Sequence, residues 1–373
     1  MKVSLSGPDI SQAEIDAVVA VLRTPNLSLG PKLVEFETNF ADYVGRRFGV
    51  AVNSGTSALH LCMLALGIGP GDEVITTPFS FIATTNCVLM VGAKPVFVDV
   101  DPVSYNIDVD RIAQKITDKT KAVLPVEVFG NPQGIDQVYE LARQRNLLCV
   151  EDSCEALGSV VNGRKVGTLG NVSTFAFYPN KQMTTGEGGM IVTDDEQVAH
   201  LCASLRNQGR DANAGWLAHA RLGYNYRLSD INCALGIEQL KRIEQSIAKR
   251  GQVAEWYREM LGDEQRIVLP NEPNGCRISW FVYVVRLQDE FGGEDRDMVL
   301  AYLREHGIGC NNYFTPIHLQ PFIADKFGCR VGDFPVTEGI AQRTIALPFY
   351  NNLSRGQVET ACAALKFALN RLI

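Results

Sequence analysis

The sequence lacks the short motifs that mark several common classes of site. It contains ten cysteines but no C-x-x-C pair, and its five histidines are dispersed. We therefore expect buried, reduced thiols, with neither a disulfide framework nor a metal site. A Walker A loop and a G-x-G-x-x-G sequence are also absent, so the chain carries no nucleotide-binding fingerprint.

Blocks of positive charge and long apolar runs are missing as well. The formal net charge is −7 and no cluster of Lys and Arg occurs, which argues against binding to nucleic acid or to anionic membranes. No run approaches the ~20 apolar residues that span a bilayer, and the N-terminus does not resemble a targeting segment. We therefore expect small-molecule partners and a cytoplasmic location.

Short apolar runs alternate with helix-like segments over the first half of the chain. This alternation predicts an α/β fold with a mainly parallel sheet and helices on both faces. Ligands of such sheets bind at the carboxyl ends of the strands. The predicted strands are 48–52, 74–77, 95–99, 122–126 and 147–152, and the predicted helices are 11–23, 31–43, 56–66, 80–91, 109–116 and 134–143.

The pattern changes after residue 193. A helix over 196–205 and a polar loop over 207–223 precede a long helical pattern over 229–261, which could link two domains. A strand over 280–287 and helices over 296–306 and 354–372 then indicate a smaller α+β domain. We expect a large domain over 1–250, including an N-terminal arm, and a small C-terminal domain over 251–373.

Lys181 lies between the end of an apolar run and a turn rich in Thr and Gly. A lysine fixed in this way suits a Schiff-base amine, which must be partly desolvated and aimed at one carbonyl carbon. Taken alone, however, the residue fits an ordinary solvated lysine better.

Two further strand ends carry polar residues. Residues 53–58 follow a strand and open a helix, so Gly55, Thr56 and Ser57 could bind a phosphate or form a plain N-cap. Asp152 ends a very apolar strand, where a buried carboxylate needs a cation. A helix-capping role is the alternative for Asp152.

Seven motifs in order resemble the DegT/DnrJ/EryC1/StrS family of pyridoxal-phosphate (PLP)-dependent sugar aminotransferases. The likeness covers the chain from about Ser28 to the C-terminus, and it implies the aspartate-aminotransferase fold, PLP-dependent transferase fold type I. The motifs are Ser54–Leu59 (SGTSAL), Gly69–Asp72 (GPGD), Pro95–Asp99 (PVFVD), Glu151–Asp152 (ED), Phe177–Lys181 (FYPNK), Gly186–Gly189 (GEGG) and Gly223–Arg227 (GYNYR).

The resemblance assigns roles to the three strand ends. Lys181 would form the Schiff base with PLP and act as the catalytic residue, and Asp152 would bond the pyridine nitrogen. Gly55, Thr56 and Ser57 would hold the phosphate.

Five further residues match family positions. Phe81 would stack on the cofactor ring and Glu155 would face the ring hydroxyl. Asn225 would reach the phosphate of a neighbouring subunit, so the resemblance implies a homodimer with active sites at the interface. Tyr313 and His318 would line the substrate entrance.

Residue 176 departs from the family pattern, because many relatives have a phosphate-binding serine there and this chain has Ala176. The phosphate site is therefore expected to depend more on Thr56, Ser57 and the helix end. Retention of Lys181 argues against the relatives that carry histidine at this position and catalyse dehydration.

The resemblance implies ping-pong transamination from L-glutamate, through the pyridoxamine (PMP) form, to a nucleotide-linked keto sugar in amino-sugar and polysaccharide (O-antigen) biosynthesis. The turn Thr184–Gly189, together with Glu155, favours carbon 4 of a 4-keto-6-deoxyhexose. Amination at carbon 3, a keto-cyclitol acceptor and a non-catalytic PLP-binding protein are alternatives. A nicotinamide-dependent enzyme would need the missing glycine fingerprint. Substrate choice is expected to lie in loops 25–30, 207–223 and 310–321.

Overall fold

The computed structural model describes residues 2–211, 215 and 217–372. A seven-stranded sheet forms its centre, and two three-stranded sheets lie outside it. The strands are β1 (Phe48–Val52), β2 (Glu73–Thr76), β3 (Lys94–Phe97), β4 (Thr120–Leu124), β5 (Leu148–Asp152), β6 (Val160–Val161), β7 (Arg164–Lys165), β8 (Val172–Ala176), β9 (Gly189–Thr193), β10 (Ile267–Val268), β11 (Cys276–Arg277), β12 (Tyr283–Leu287) and β13 (Thr344–Leu347).

Helices precede, separate and follow these strands. Six of those named below begin at a Ser or Asp whose side chain caps the free N–H groups of the first turn, such as Ser11, Ser54 or Ser229. The helices are α1 (Gln12–Leu22), α2 (Pro31–Val44), α3 (Gly55–Ala65), α4 (Ala83–Met90), α5 (Val109–Ile112), α6 (Ile135–Gln144), α7 (Glu196–Arg206), α8 (Asp230–Lys241), α9 (Ile243–Leu261), α10 (Gly293–Glu305), α11 (Pro321–Phe327), α12 (Pro335–Ala341) and α13 (Arg355–Leu369).

The central sheet confirms the predicted α/β class. Its strand order is β1-β9-β8-β5-β4-β2-β3, and only β9 runs against its neighbours. The four strands β2, β4, β5 and β8 are almost entirely buried, as expected for a sheet covered on both faces. Their carboxyl ends therefore meet at one edge.

The single helix predicted over 229–261 is wrong, because α8 ends at Lys241 and α9 begins at Ile243. Arg242 between them has φ −115° and ψ 17°. Its guanidinium donates to the Glu14 carboxylate over 2.6 Å and forms an ion pair with Asp9 at 3.2 Å. The break therefore coincides with the point where the N-terminal segment attaches to the helix.

The C-terminal part has its own sheet, β10-β12-β13, and an apolar cluster formed largely with α9, α10 and α13. Strand β13 was not predicted, and the predicted strand 280–287 begins at Tyr283 instead. Val3 joins the C-terminal cluster, since its backbone pairs with Ile308. The expected boundary at 250/251 falls inside α9, and the division into two domains stays a prediction.

Candidate active site

A cavity of about 510 Å³ lies at the carboxyl ends of the central strands. Ser54 follows β1, Val126 follows β4, Asp152 ends β5 and Ala176 ends β8, and all four line it. This is the edge at which parallel sheets bind ligands. The other lining residues are Gly55, Thr56, Leu59, Ser80, Phe81, Ala83, Cys154, Glu155, Tyr178, Asn180, Lys181, Glu187, Gly188, Phe281, Tyr313 and Phe314.

Lys181 reaches the cavity from the turn after β8. Its backbone N–H donates to the Tyr178 carbonyl over 2.9 Å, and its side chain is only 12% exposed. The Nζ atom lies 3.8 Å from the centroid of the Phe281 ring and 3.7 Å from Oε1 of Glu155. The amine is thus held between an aromatic face and a carboxyl group, unlike a solvated surface lysine.

Glu155 is buried beside this amine. Burial raises the pKa of its carboxyl group, while the charge of Lys181 and the N–H of Phe129 act in the opposite direction. That N–H donates to Oε2 over 2.8 Å. The carboxyl group is therefore fixed in orientation, with its other oxygen toward Lys181.

Asp152 is 5% exposed at the end of β5. The hydroxyl of Thr84 donates to its Oδ2 over 2.7 Å and is within 2.8 Å of the Ser80 hydroxyl. No charged partner of Asp152 occurs among the side chains that the structure describes. A buried carboxylate in such a place favours the binding of a cationic group.

Helix α3 presents its first turn to the cavity. The Ser54 hydroxyl caps the helix by accepting from the N–H of Ser57 over 3.1 Å, and the Ser57 hydroxyl donates to the Asn53 side chain over 2.7 Å. A Cβ atom at Gly55 would lie 2.8 Å from the Cβ of Ala176 and 3.0 Å from Sγ of Cys154. Only glycine fits between them without a shift, so the end of β8 packs directly on the helix start.

Seven of the ten predicted site residues line this one cavity: Gly55, Thr56, Phe81, Asp152, Glu155, Lys181 and Tyr313. Ser57 is the third residue of α3, and its hydroxyl donates to the Asn53 side chain.

Asn225 and His318 lie away from the cavity wall. Asn225 is exposed and pairs through its backbone with Asn207. His318 is fully buried, and its Nε2 lies 3.0 Å from the Glu338 carboxylate. A direct role for His318 in lining the entrance is therefore not supported by its position. Within the predicted specificity loop 207–223, residues 212–214 and 216 lie outside the described residues.

The comparisons with known proteins extend over nearly the whole chain. Residues 8–366 match the model of the DegT/DnrJ/EryC1/StrS aminotransferase family. The chain belongs to this family. GDP-perosamine synthase from Caulobacter vibrioides is 38% identical to this aminotransferase over 98% of this chain and 97% of its own. Spore coat polysaccharide biosynthesis protein SpsC from Bacillus subtilis is 35% identical over 96% and 95% of the two chains.

The fold of this aminotransferase is shared with solved structures. The PLP form of the putative sugar aminotransferase Spr1654 from Streptococcus pneumoniae has a TM-score of 0.95 and 27% identity, with 100% of both chains covered. A PMP form of the same protein also matches. The predicted family, fold, enzyme class and cofactor are therefore confirmed.

The site of this aminotransferase fits PLP. Asp152 offers a buried carboxylate to a protonated pyridine nitrogen, and the first turn of α3 offers free N–H groups to a phosphate. Lys181 offers an amine whose surroundings exclude most water. Ala176 has no hydroxyl, so the helix end and Thr56, which line the cavity, would hold the phosphate.

Sequence reasoning missed several residues in or beside the cavity of the aminotransferase. Thr84 and Ser80 lie on the predicted helix 80–91, but nothing in the sequence indicated that they face Asp152. Phe281 was assigned to a strand, and its approach to Lys181 depends on packing between distant segments.

No helix in the described part of the chain is both long and apolar enough to cross a bilayer. No group of three or more His, Cys, Asp or Glu side chains among the described residues could hold a metal ion.

Proposed function

We propose that this aminotransferase transfers an amino group from L-glutamate to carbon 4 of a 4-keto-6-deoxyhexose linked to a nucleoside diphosphate. The observation that carries the proposal is the arrangement of Lys181 and Asp152 on one cavity, with Glu155 at 3.7 Å from the amine. The likeness to GDP-perosamine synthase supports a nucleotide-linked sugar as the acceptor.

The chain's own residues have separable roles in this reaction. PLP, when bound, carries the amino group between the two half-reactions and withdraws electrons from the substrate carbon. Lys181 moves the proton at its Nζ, acting in turn as base and acid. Asp152 neutralises the buried cation of the cofactor, and Glu155 orients the lysine amine. The Phe281 ring keeps water from the amine on one side.

The proposal includes a homodimer. Asn225 is exposed and lies away from the cavity of its own chain, which is compatible with a contribution to the phosphate site of a partner subunit. Isologous interfaces of this kind supply the same residue to both active sites.

The experiment is an assay of purified protein with L-glutamate and a panel of keto-sugar nucleotides, with products identified by mass spectrometry and NMR. We expect turnover with a 4-keto-6-deoxyhexose nucleotide and an amino group at carbon 4. Amination at carbon 3, or turnover of a keto-cyclitol alone, would contradict the proposed substrate. A protein that binds no PLP, or shows no half-reaction with glutamate, would contradict the proposed reaction.

A further inference from the structure

Arg250 on α9 is a buried charge without a carboxylate partner among the described residues. It is 1% exposed, and its guanidinium donates only to main-chain carbonyls. Nη1 donates to Trp280 and Phe281 over 3.2 and 3.0 Å, and Nη2 donates to Asn180 and Lys181 over 3.1 and 2.8 Å. Burial lowers the pKa of Arg250 to about 10, so it stays protonated near neutral pH.

These four carbonyls belong to two segments that meet at the active site. One segment carries Lys181 after β8, and the other carries Phe281 before β12. The side chains of the two residues face each other, with Nζ 3.8 Å from the ring centroid. The planar fork of an arginine is suited to holding several acceptors in fixed geometry, and a lysine ammonium is not.

We infer that Arg250 is a positioning residue that aims the Lys181 amine by holding the main chain of Lys181 and of Phe281 together. The inference rests on the proposed function, in which Lys181 moves the proton. A displacement of about 1 Å at a reacting group can reduce the rate about 10²-fold. Arg250 therefore acts on catalysis through the backbone and does not contact the substrate.

A second connection joins the same segments from another side. The Gln182 amide donates to the Glu155 carbonyl over 2.6 Å and to the Ser279 hydroxyl over 2.9 Å. The two segments would therefore stay associated without Arg250, but with less precise alignment. For this reason we expect variants at Arg250 to alter the position of the amine before they separate the segments.

The test compares Arg250→Met, Arg250→Lys and Phe281→Leu with the wild type. Cofactor-free protein is treated briefly with acetic anhydride, and mass spectrometry gives the labelling of Lys181 relative to the exposed Lys241. We expect this ratio to rise at least about threefold in Arg250→Met and Phe281→Leu, because the amine loses its aromatic cover. Arg250→Lys should lie between wild type and Arg250→Met.

The same proteins, loaded with PLP, are tested in the glutamate half-reaction. We expect the maximal rate of this half-reaction to fall about 10²-fold in Arg250→Met. The glutamate concentration that gives half of the maximal rate should change much less. Phe281→Leu leaves the guanidinium and its carbonyl acceptors in place, so it gives the change in labelling that loss of the aromatic cover alone produces. Arg250→Lys keeps the buried charge, so it is the second test of the inference if Arg250→Met folds poorly.

Tyr257→Phe is the matched control on the same helix. The Tyr257 hydroxyl donates to the Pro348 carbonyl over 2.7 Å and makes no contact with the Lys181 segment. The Tyr257→Phe variant should lose stability but keep the labelling ratio and the half-reaction rate of the wild type. Equal changes in Tyr257→Phe, or unchanged labelling of Lys181 in the Arg250 variants, would overturn the inference. Labelling needs no activity, so it separates failure of this inference from failure of the proposed function.

Discussion

The position of Lys181 is well defined because its neighbours restrict both its backbone and its amine. Its backbone is bound to Tyr178 and Arg250, and its amine lies between Phe281 and Glu155. A residue with such contacts can move a proton along one direction, which an exposed lysine could not do.

Lys181→Ala should abolish transamination and leave the fold intact. We expect the glutamate half-reaction to slow by at least about 10³-fold, because the proton at the substrate carbon has no other carrier. Absorbance of the bound cofactor measures the half-reaction, and thermal unfolding checks the fold. Lys241→Ala is the control, since Lys241 lies at the surface and forms an ion pair with Glu238. Substantial turnover by Lys181→Ala would contradict the assignment.

Glu127 is a further buried acid, and we expect it to affect stability. Burial raises the pKa of its carboxyl group well above 4.5, and the nearby charge of Glu151 adds to this. The folded protein therefore holds this proton at pH values where the unfolded chain has lost it. The stabilising effect is complete below the unfolded pKa and is lost as pH rises toward the folded one.

Glu127→Gln removes this dependence while keeping the shape of the side chain. Above about pH 5 the unfolding free energy of the variant should rise relative to that of the wild type by up to about 1.4 kcal/mol per pH unit. This rise should end when the pH reaches the pKa of Glu127 in the folded protein. Urea unfolding at several pH values from 5 to 8 measures the difference. Glu305→Gln, at an exposed position in α10, controls for exchanging an acid for an amide. A difference that does not change with pH would contradict the buried neutral state.

At the scale of elements, the start of α3 is packed against the start of β9 and the end of β8. A Cβ atom at Gly189 would lie 2.5 Å from the Ser54 carbonyl oxygen and 2.9 Å from the Gly55 nitrogen. The backbone of the predicted phosphate site therefore touches the strand that follows the lysine turn. Both elements need small residues where they meet.

Gly189→Ala should displace the first turn of α3. We expect a loss of about 1–3 kcal/mol in unfolding free energy from overpacking, together with weaker binding of PLP. Chemical denaturation and fluorescence titration with PLP measure the two effects. Gly251→Ala in α9 is the control, because a Cβ there meets no atom within 4 Å and alanine is the better helix former. Undiminished PLP affinity in Gly189→Ala would show that α3 had not moved.

At the scale of the whole molecule, the proposed homodimer makes the two active sites depend on both chains. If Asn225 serves the partner's site, each active site takes Lys181 from one chain and Asn225 from the other. A mixed dimer then contains one complete site and one doubly altered site.

Co-expression of the two variants with different affinity tags tests this arrangement. Each variant alone should be impaired, while an equal mixture should recover about a quarter of wild-type activity, because half of the dimers are mixed and each has one complete site. The purified mixed dimer measures the effect directly. Activity of the mixed dimer no greater than the average of the parent variants would contradict a shared site.

The cytoplasmic location stays a prediction.

The sequence by itself determined the parts that depend on neighbouring residues. Alternating apolar runs predicted the strands β1 to β5, and the Ser11 capping box predicted α1. These patterns extend over few residues, since apolar periodicity and helix capping involve neighbours in the sequence. The order of seven motifs, which include Asp152 and Lys181, predicted the family and its cofactor.

Only the tertiary structure decided which distant groups meet. The break between α8 and α9 lies where Arg242 binds Asp9 and Glu14, and Phe281 approaches Lys181 from a segment 100 residues further along the chain. The sequence likewise gave no sign that His318 is buried against Glu338. These contacts depend on the packing of whole elements against one another, and a local sequence pattern does not predict that packing.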